Sequence, residues 1–394
     1  MNTRGTIAYF GHNVNDAAVR RRTIALQRAG YDVQGFMPRR GPAGEYTAPY
    51  VDLGETRDNA YGARLKFIFA GARLAAQHRE ILARADVIMA RNLDMLAMAV
   101  RARHLMGQDT PILYECLDIH HKLSGTGRAA QALRALERWL LRRTALVLIS
   151  SPAFEREHFA RHYPGAYRCF LAENRLIEGD GFPPRPAPSM SDPRQPLRIG
   201  WFGNLRCTRS LGLLTDLARA FPTQVEIILR GYTARNVLVD FDAQIAPFPN
   251  IRFEGRYRAP QDLAQIYGEV DLIWSGDWYE DGANSLWLLP NRLYEGGYFG
   301  TPALAPSGTQ TAHWLADKAG GFLIEEDVAQ NLHQTVAALL EDRAPINALR
   351  TRLLALPREV FVEPPETMQA LLAMATEGAA STGQAPSVPG YSKT

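Results

Sequence analysis

Short runs of β-forming residues alternate with longer stretches of helical periodicity along most of this 394-residue chain, and that alternation limits the fold more than any other feature. TIAYF, YDVQGFM, DVIMA, PILYEC and ALVLIS mark the first half, each followed by a segment with helical spacing. Such a series favours a mainly parallel sheet with helices on both faces. Residues 179–196, GDGFPPRPAPSMSDPRQP, then break the pattern with six prolines. No helix runs through such a segment, and it has little to bury. The series restarts at once as LRIGWF, VEIILRG, IRFEG, VDLIWSG, TPALA and GFLI. The fold class read from this is α/β, with two Rossmann-like, doubly wound parallel-sheet domains facing a cleft. The N-terminal domain covers 1–178, a linker 179–196 and the C-terminal domain 197–360. A helix over 361–376, containing ETMQALLAMA, is expected to cross back to the first domain, and the small, polar stretch 377–394 to be disordered.

Length agrees with two domains of about 150 residues each. A chain with 46% apolar and 22% charged residues has the composition of a globular protein. Cys116, Cys169 and Cys207 are far apart and form no CxxC pair, so neither a zinc site nor a redox motif is expected. The opening MNTRGTIAYFGHNVND lacks the apolar stretch of a signal peptide. No apolar run approaches the roughly 20 residues needed to cross a bilayer. A cytoplasmic location follows as the expectation. Charge is unevenly spread: residues 1–180 hold 26 Lys and Arg against 18 Asp and Glu, and the remainder 18 against 23. A basic half can meet nucleic acid, anionic lipid or a phosphorylated acceptor. No nucleic-acid motif or interleaved aromatic platform accompanies it, which argues against nucleic acid. The stretches GARLKFIFAGARLAAQHREILARA and RAAQALRALERWLLRRT combine Arg with Phe, Leu and Trp139. They either touch an anionic membrane surface peripherally or lay their apolar faces on the first sheet.

Ligands of open parallel sheets lie beyond the carboxyl ends of the strands. In the first half those positions are polar: Gly11, His12 and Asn13 after TIAYF, Arg91 and Asn92 after DVIMA, Asp118, His120 and His121 after PILYEC, and Ser150 and Ser151 after ALVLIS. A carboxylate beside imidazoles suits a general base or hydroxyl recognition, with either Asp118 or His120 as the catalytic group. Capping of the next helix is the structural alternative. In the second half, IGWFGNLRCTRS puts Gly203 and Asn204 at a strand-to-loop junction, followed by Arg206, Arg209 and a helix from about Leu211. Backbone N–H groups, a helix start and paired arginines form a diphosphate cradle. In LLPNRLYEGGYFGTPALAP, Pro290 precedes a short helix carrying Asn291, Arg292 and Glu295. A carboxylate there can accept two hydrogen bonds from a vicinal diol such as ribose, or can simply interact with its own helix dipole.

IGWFGNL with a later basic residue, FEGRY, VDLIWSG, PNRLYE, GTP before a strand and AGGFLIEED follow one another in order over 197–327. Together they resemble the nucleotide-sugar half of GT-B glycosyltransferases, especially the family 4-like group of bacterial polysaccharide assembly and, within it, the succinoglycan-type glucosyltransferases. The N-terminal half resembles the group more loosely, through YECLDIHHK, LISSPAF and LAENRLIEG. The resemblance implies a hexosyltransferase that uses a nucleotide diphosphate sugar, UDP-glucose or a related UDP-hexose. It implies that Glu295 holds the ribose, that Arg206 and Arg209 hold the diphosphate, and that Arg256 and Tyr257 meet the base. Asp118 or His120 then faces the transferred sugar. The implied acceptor is a glycan or a polyprenyl-diphosphate-linked oligosaccharide at the inner membrane face. No metal ion or other cofactor is required, because arginines and a helix start stabilise the leaving diphosphate.

The chain departs from the group in two places. Trp287 stands eight positions before Glu295, where members that retain configuration carry a second carboxylate, and the usual Arg and Lys of the phosphate loop are displaced. Stereochemistry does not follow from the sequence. A sugar-nucleotide epimerase or hydrolase of the same architecture, or a non-catalytic sugar-nucleotide-binding partner, are the competing readings.

Overall fold

A computed structural model describes residues 3–42, 44, 46–56 and 61–380. The chain divides into two compact units, Met1–Glu173 with Pro364–Thr394, and Asn174–Glu363.

The first unit is built on β1 (Gly5–Phe10), β2 (Tyr31–Arg39), β3 (Tyr50–Glu55), β4 (Val87–Arg91), β5 (Ile112–Cys116), β6 (Leu146–Ile149) and β7 (Cys169–Leu171). Their order in the sheet is β3-β2-β1-β4-β5-β6-β7, and every pairing is parallel. β4, β5 and β6 are buried along their whole length, as near-continuous apolar strands covered on both faces must be. The edge strands β3 and β7 escaped the sequence reading because each is short and mostly half-exposed.

Helices α1 (Ala17–Arg28), α2 (Tyr61–Gln77), α3 (Asn92–Met106), α4 (His121–Ser124) and α5 (Arg128–Leu141) lie between the strands. The helix Pro365–Ala380 packs on α1, β4 and β6. It buries the stripe Met368, Leu371, Leu372 and Ala375, a one-face helical spacing. Arg22 Nη1 reaches Met368 Sδ at 3.1 Å, and Gln369 donates to the Ala29 carbonyl. Residues 381–394, most of the tail read as disordered, lie outside the described residues.

Beneath the carboxyl edge of this sheet sits a buried ionic cluster. Glu115 accepts from Tyr9 Oη at 2.8 Å, from Arg22 Nε at 2.7 Å and from Arg91 Nη1 at 3.4 Å. Burial by itself would push the Glu115 carboxyl up, but Arg91 and Arg22 outweigh it and hold the group below its ordinary range.

The second unit repeats the plan with β8 (Leu197–Leu205), β9 (Val225–Thr233), β10 (Ile251–Phe253), β11 (Leu272–Trp274), β12 (Ala303–Pro306) and β13 (Gly321–Ile324). The order is β10-β9-β8-β11-β12-β13, again all parallel. The helices used below are α6 (Thr208–Ala220) and α7 (Asn291–Tyr298). Alternate residues of β8 feed two cores, with Leu197, Ile199 and Trp201 on one face and Phe202 on the other.

The proline-rich segment read as a linker belongs to this unit. Arg185 donates to the carbonyls of Tyr298, Leu353 and Leu356, Tyr298 Oη donates to the Pro183 carbonyl, and the Ser191 N–H donates to Asn347 Oδ1. Prolines keep the strand of chain out of a helix, and side chains anchor it where backbone ladders cannot. The division falls instead at Glu173/Asn174 and Glu363/Pro364.

A second correction concerns the strand-to-loop junction placed at Gly203 and Asn204, which falls after Leu205. β8 continues through both residues to Leu205, with Gly203 opposite Gly231 of β9. Both have left-handed φ values, +109° and +128°, and a Cβ on Gly231 would lie 1.9 Å from the Gly203 carbonyl oxygen. The two glycines let the paired strands run past the point where side chains would collide.

Gly231→Ala is therefore expected to destabilise the second unit by roughly 3 kcal/mol. Gly212→Ala, in open space on α6, should gain about 0.5–1 kcal/mol. Urea titration of both variants checks the contrast, and equal midpoints would contradict it. Glu115 contributes stability that is complete above its ordinary pKa of 4.5 and is lost as pH falls through its lower folded value. Glu115→Gln should remove that acid-side dependence and lower stability at pH 7 by about 3–5 kcal/mol, since two buried guanidiniums lose their counter-charge. Urea midpoints of both proteins across acid to neutral pH measure it.

Candidate active site

In the second unit, β8 and β11 are neighbours at the point where strand order reverses, which is where doubly wound sheets open a crevice. The chain leaving β8 forms the start of α6. Cys207 Sγ accepts the N–H groups of Ser210 and Trp278, both at 3.3 Å, and Ser210 Oγ donates to the Gly276 carbonyl at 2.9 Å. The helix start is thus clipped to the loop that follows β11. Arg206 lies 3.5 Å from Asp277 Oδ2 and over the Tyr279 ring, and Arg209 lies over the Trp278 ring at 4.2 Å. Both arginines flank the helix start as expected, but each is already engaged by an aromatic ring of that loop. Sequence reasoning missed Asp277, Trp278 and Tyr279. Their signal was their place, directly after β11, where the same carboxyl-edge rule applies as in the first half.

Arg292, on the first turn of α7, is the most unusual charge of the site. It is 9% exposed, and its Nη1 donates to the Phe202 carbonyl at 3.0 Å. A Cβ on Gly203 would come within 3.8 Å of the same nitrogen. Nε has no hydrogen-bond partner, and among the described residues Arg292 forms no ion pair. Burial lowers its pKa, Asp277, Tyr267 and Tyr257 oppose that at longer range, and Arg206 adds to it. A buried cation without a counter-ion is costly.

Glu295, one turn along α7, is 4% exposed and accepts from Tyr267 Oη at 2.8 Å. Burial, and then the Glu295 charge, push the Tyr267 hydroxyl well above its usual range, so it stays a donor. Phe202 packs edge-on against both Tyr267 and Tyr257. Asn204, exposed, is opposite Tyr232 in the β8–β9 register, and Arg256 lies over the Tyr232 ring at 5.2 Å. Asn291 opens α7, half-buried. The expected donor-side residues therefore share one edge of the second sheet, with Arg292 and Glu295 the most buried among them.

In the first unit the residues after β1, β4, β5 and β6 share one edge, because these strands are parallel neighbours. Several have structural duties the sequence did not reveal. Gly11 is buried, and a Cβ there would meet Met37 and Val19 at 3.1 Å. Asn13 Oδ1 accepts the N–H groups of Asn15 and Arg40, closing a turn. Arg91, expected to face ligand, is buried in the Glu115 cluster. Asn92, at φ +66°, opens α3 and accepts the Met95 N–H within its first turn, a conformation Asn tolerates. His12 Nε2 is 3.6 Å from Asp16 Oδ2. Burial would raise the Asp16 carboxyl, but His12 and Arg91 hold it well below the usual range.

Asp118 is exposed. His120 caps α4, its Nδ1 accepting the Lys122 N–H at 3.2 Å. The side chain of His121 lies outside the described residues. Among the described residues no group of three or more His, Cys, Asp or Glu is placed to hold a metal ion.

Residues 17–172 match the glycosyl transferase 4-like domain. The succinoglycan biosynthesis protein ExoL of Rhizobium meliloti is 40% identical over 341 residues, 84% of each chain. Among solved structures, Anabaena HepE in complex with UDP and glucose superposes with a TM-score of 0.70 at 17% identity, covering 94% of this chain and 99% of that one. Sucrose-phosphate synthase from Thermosynechococcus elongatus gives 0.71 at 18% identity, covering 96% and 100%. The fold is shared with these structures, and the identity to the Rhizobium protein across most of the chain shows that this protein belongs to the glycosyltransferase 4-like family and is a glycosyltransferase of GT-B fold.

Proposed function

We propose that the protein transfers a hexose from a UDP-sugar to a lipid-linked oligosaccharide, on polyprenyl diphosphate, or to another glycan acceptor in bacterial surface polysaccharide synthesis, working in the cytoplasm at the inner membrane face. Two relatives support the donor and the pathway class: the Anabaena structures hold UDP with glucose or UDP-glucose, and the Rhizobium protein is named for succinoglycan biosynthesis.

The observation that carries the donor assignment is Arg292, buried at Gly203 with no ion pair among the described residues. In this reading its guanidinium takes the diphosphate, a match for two parallel N–H donors. Arg206, Arg209 and the α6 start add positive potential as charge builds on the leaving group. This mechanism needs no metal ion. Tyr267 donates to one oxygen of Glu295, and in this reading the carboxylate meets the ribose diol. Tyr257, with Arg256 on Tyr232 and Asn204 nearby, meets the base, and Asn291 completes the α7 end of the site. On the first unit Asp118 takes the acceptor hydroxyl's proton if configuration inverts and binds that hydroxyl if it is retained, with His12 and His120 donating to sugar oxygens.

UDP should raise the melting temperature of the wild-type protein, because a ligand of the folded state stabilises it. Arg292→Met should abolish the rise while leaving the ligand-free melting temperature equal or higher, since a buried unpaired charge has been removed. A rise as large as wild type would sink the diphosphate assignment. Asp118→Asn and Glu295→Ala should each reduce turnover by about tenfold or more. Only Glu295→Ala should also weaken UDP binding, and near-normal turnover in both would remove the site.

A further inference from the structure

The loop that follows β11 brings a carboxylate into a site built to receive an anion. The side chain of Asp277 is 10% exposed and is held by its own loop. Its Oδ1 accepts the Tyr279 N–H at 2.8 Å and the hydroxyl of Ser285 at 3.4 Å, and the buried Ser285 Oγ in turn accepts the Glu280 N–H at 2.9 Å. Local bonds of this kind fix the direction of a short acidic side chain. Oδ2 is left to face Arg206 Nη2 at 3.5 Å.

That contact differs from the ion pairs that hold the fold. Arg22 and Glu115 meet at 2.7 Å, the range of a charge-assisted hydrogen bond, and both are buried. Arg206 is 28% exposed, stands farther from its carboxylate and rests over the Tyr279 ring at 4.8 Å. Among the described residues it has no other carboxylate within ion-pair distance. Asp277 is also the foremost charge favouring the cationic form of the buried Arg292. One carboxylate thus acts on two cations that the proposed function gives to the diphosphate, and it has the sign of that ligand.

We infer that Asp277 is a positioning residue that stands in for the diphosphate's charge before a nucleotide binds, keeps Arg206 against Tyr279, and drives release of the nucleoside diphosphate product. The inference rests on the assignment of Arg206 and Arg292 to the diphosphate. When a nucleoside diphosphate binds, its oxygens take Arg206 from Oδ2, and the carboxylate, still held by Tyr279 and Ser285, remains as a like charge close by. Repulsion in a partly buried site raises the free energy of the complex and not that of the free protein. Transfer breaks the bond between the sugar carbon and the phosphate oxygen, and the electron pair stays on that oxygen. The product therefore carries more negative charge than the donor, and Asp277 opposes it more strongly.

Calorimetric titration of the full chain with UDP, UDP-glucose and uridine tests this. Asp277→Asn keeps the shape of the side chain and should bind UDP about tenfold more tightly than the wild type, with a smaller gain for UDP-glucose and none for uridine. Asp277→Ala should show the same order. A residue that only shaped the loop would lose affinity for all three when replaced. If the wild type binds UDP no better than uridine, or Arg292→Met binds UDP as well as the wild type, the donor-site reading falls and takes this inference with it. If those two behave as expected while Asp277→Asn binds UDP equally or more weakly, the inference alone is overturned. Equal gains for UDP and UDP-glucose overturn the product-release role. Failure of both Asp277 variants to fold counts against it as well, because a carboxylate that opposes a ligand is not required to hold the loop.

Discussion

Every strand pairing in both sheets is parallel, so all strands of a unit deliver their carboxyl ends to one edge. Central parallel strands are covered on both faces and tolerate little polarity. Polar side chains are displaced into the segments that follow them, where they accumulate along that single edge. The order reversal between β1 and β4, and between β8 and β11, then parts the neighbouring crossovers. In the second unit this leaves room for Arg206, Asp277 and the start of α6 to meet.

Charge separates structure from chemistry in these two edges. In the first unit Arg22 and Arg91 share Glu115, and Asp16 lies within reach of Arg91, so the buried cations are met by buried anions. Such a cluster holds β1, β4, β5 and α1 together and leaves little for a ligand. In the second unit Arg292 is equally buried but has only the Phe202 carbonyl and distant charges. The same residue type at the same kind of edge thus sits in opposite electrostatic surroundings.

α5 shows how a helix can satisfy a fold while leaving large apolar side chains, Leu136 and Trp139, outside. Glu137 turned inward would be destabilising alone, but three donors fill its coordination. With that group satisfied, the helix is anchored by a hydrogen-bonded network and by Leu140 and Leu141, and Trp139 is not needed in the core.

The alternation of strand and helix patterns was legible because both periods are local, and the eleven strands it marked all form. The edge strands β3 and β7 were not, since an edge strand is recognised by its partner and not by its own apolar pattern. Proline content showed that residues 179–196 would form no helix, but not that Arg185 would tie them to the second unit. Asn13, Asn92 and His120 looked like ligand groups because caps and ligand sites use the same polar residues at the same strand ends. Spacing along the chain determined the fold class, the order of the elements and which residues reach a carboxyl edge. Only the tertiary structure decided which arginine is neutralised and which is left without an ion pair among the described residues, because charge pairing depends on distance through space.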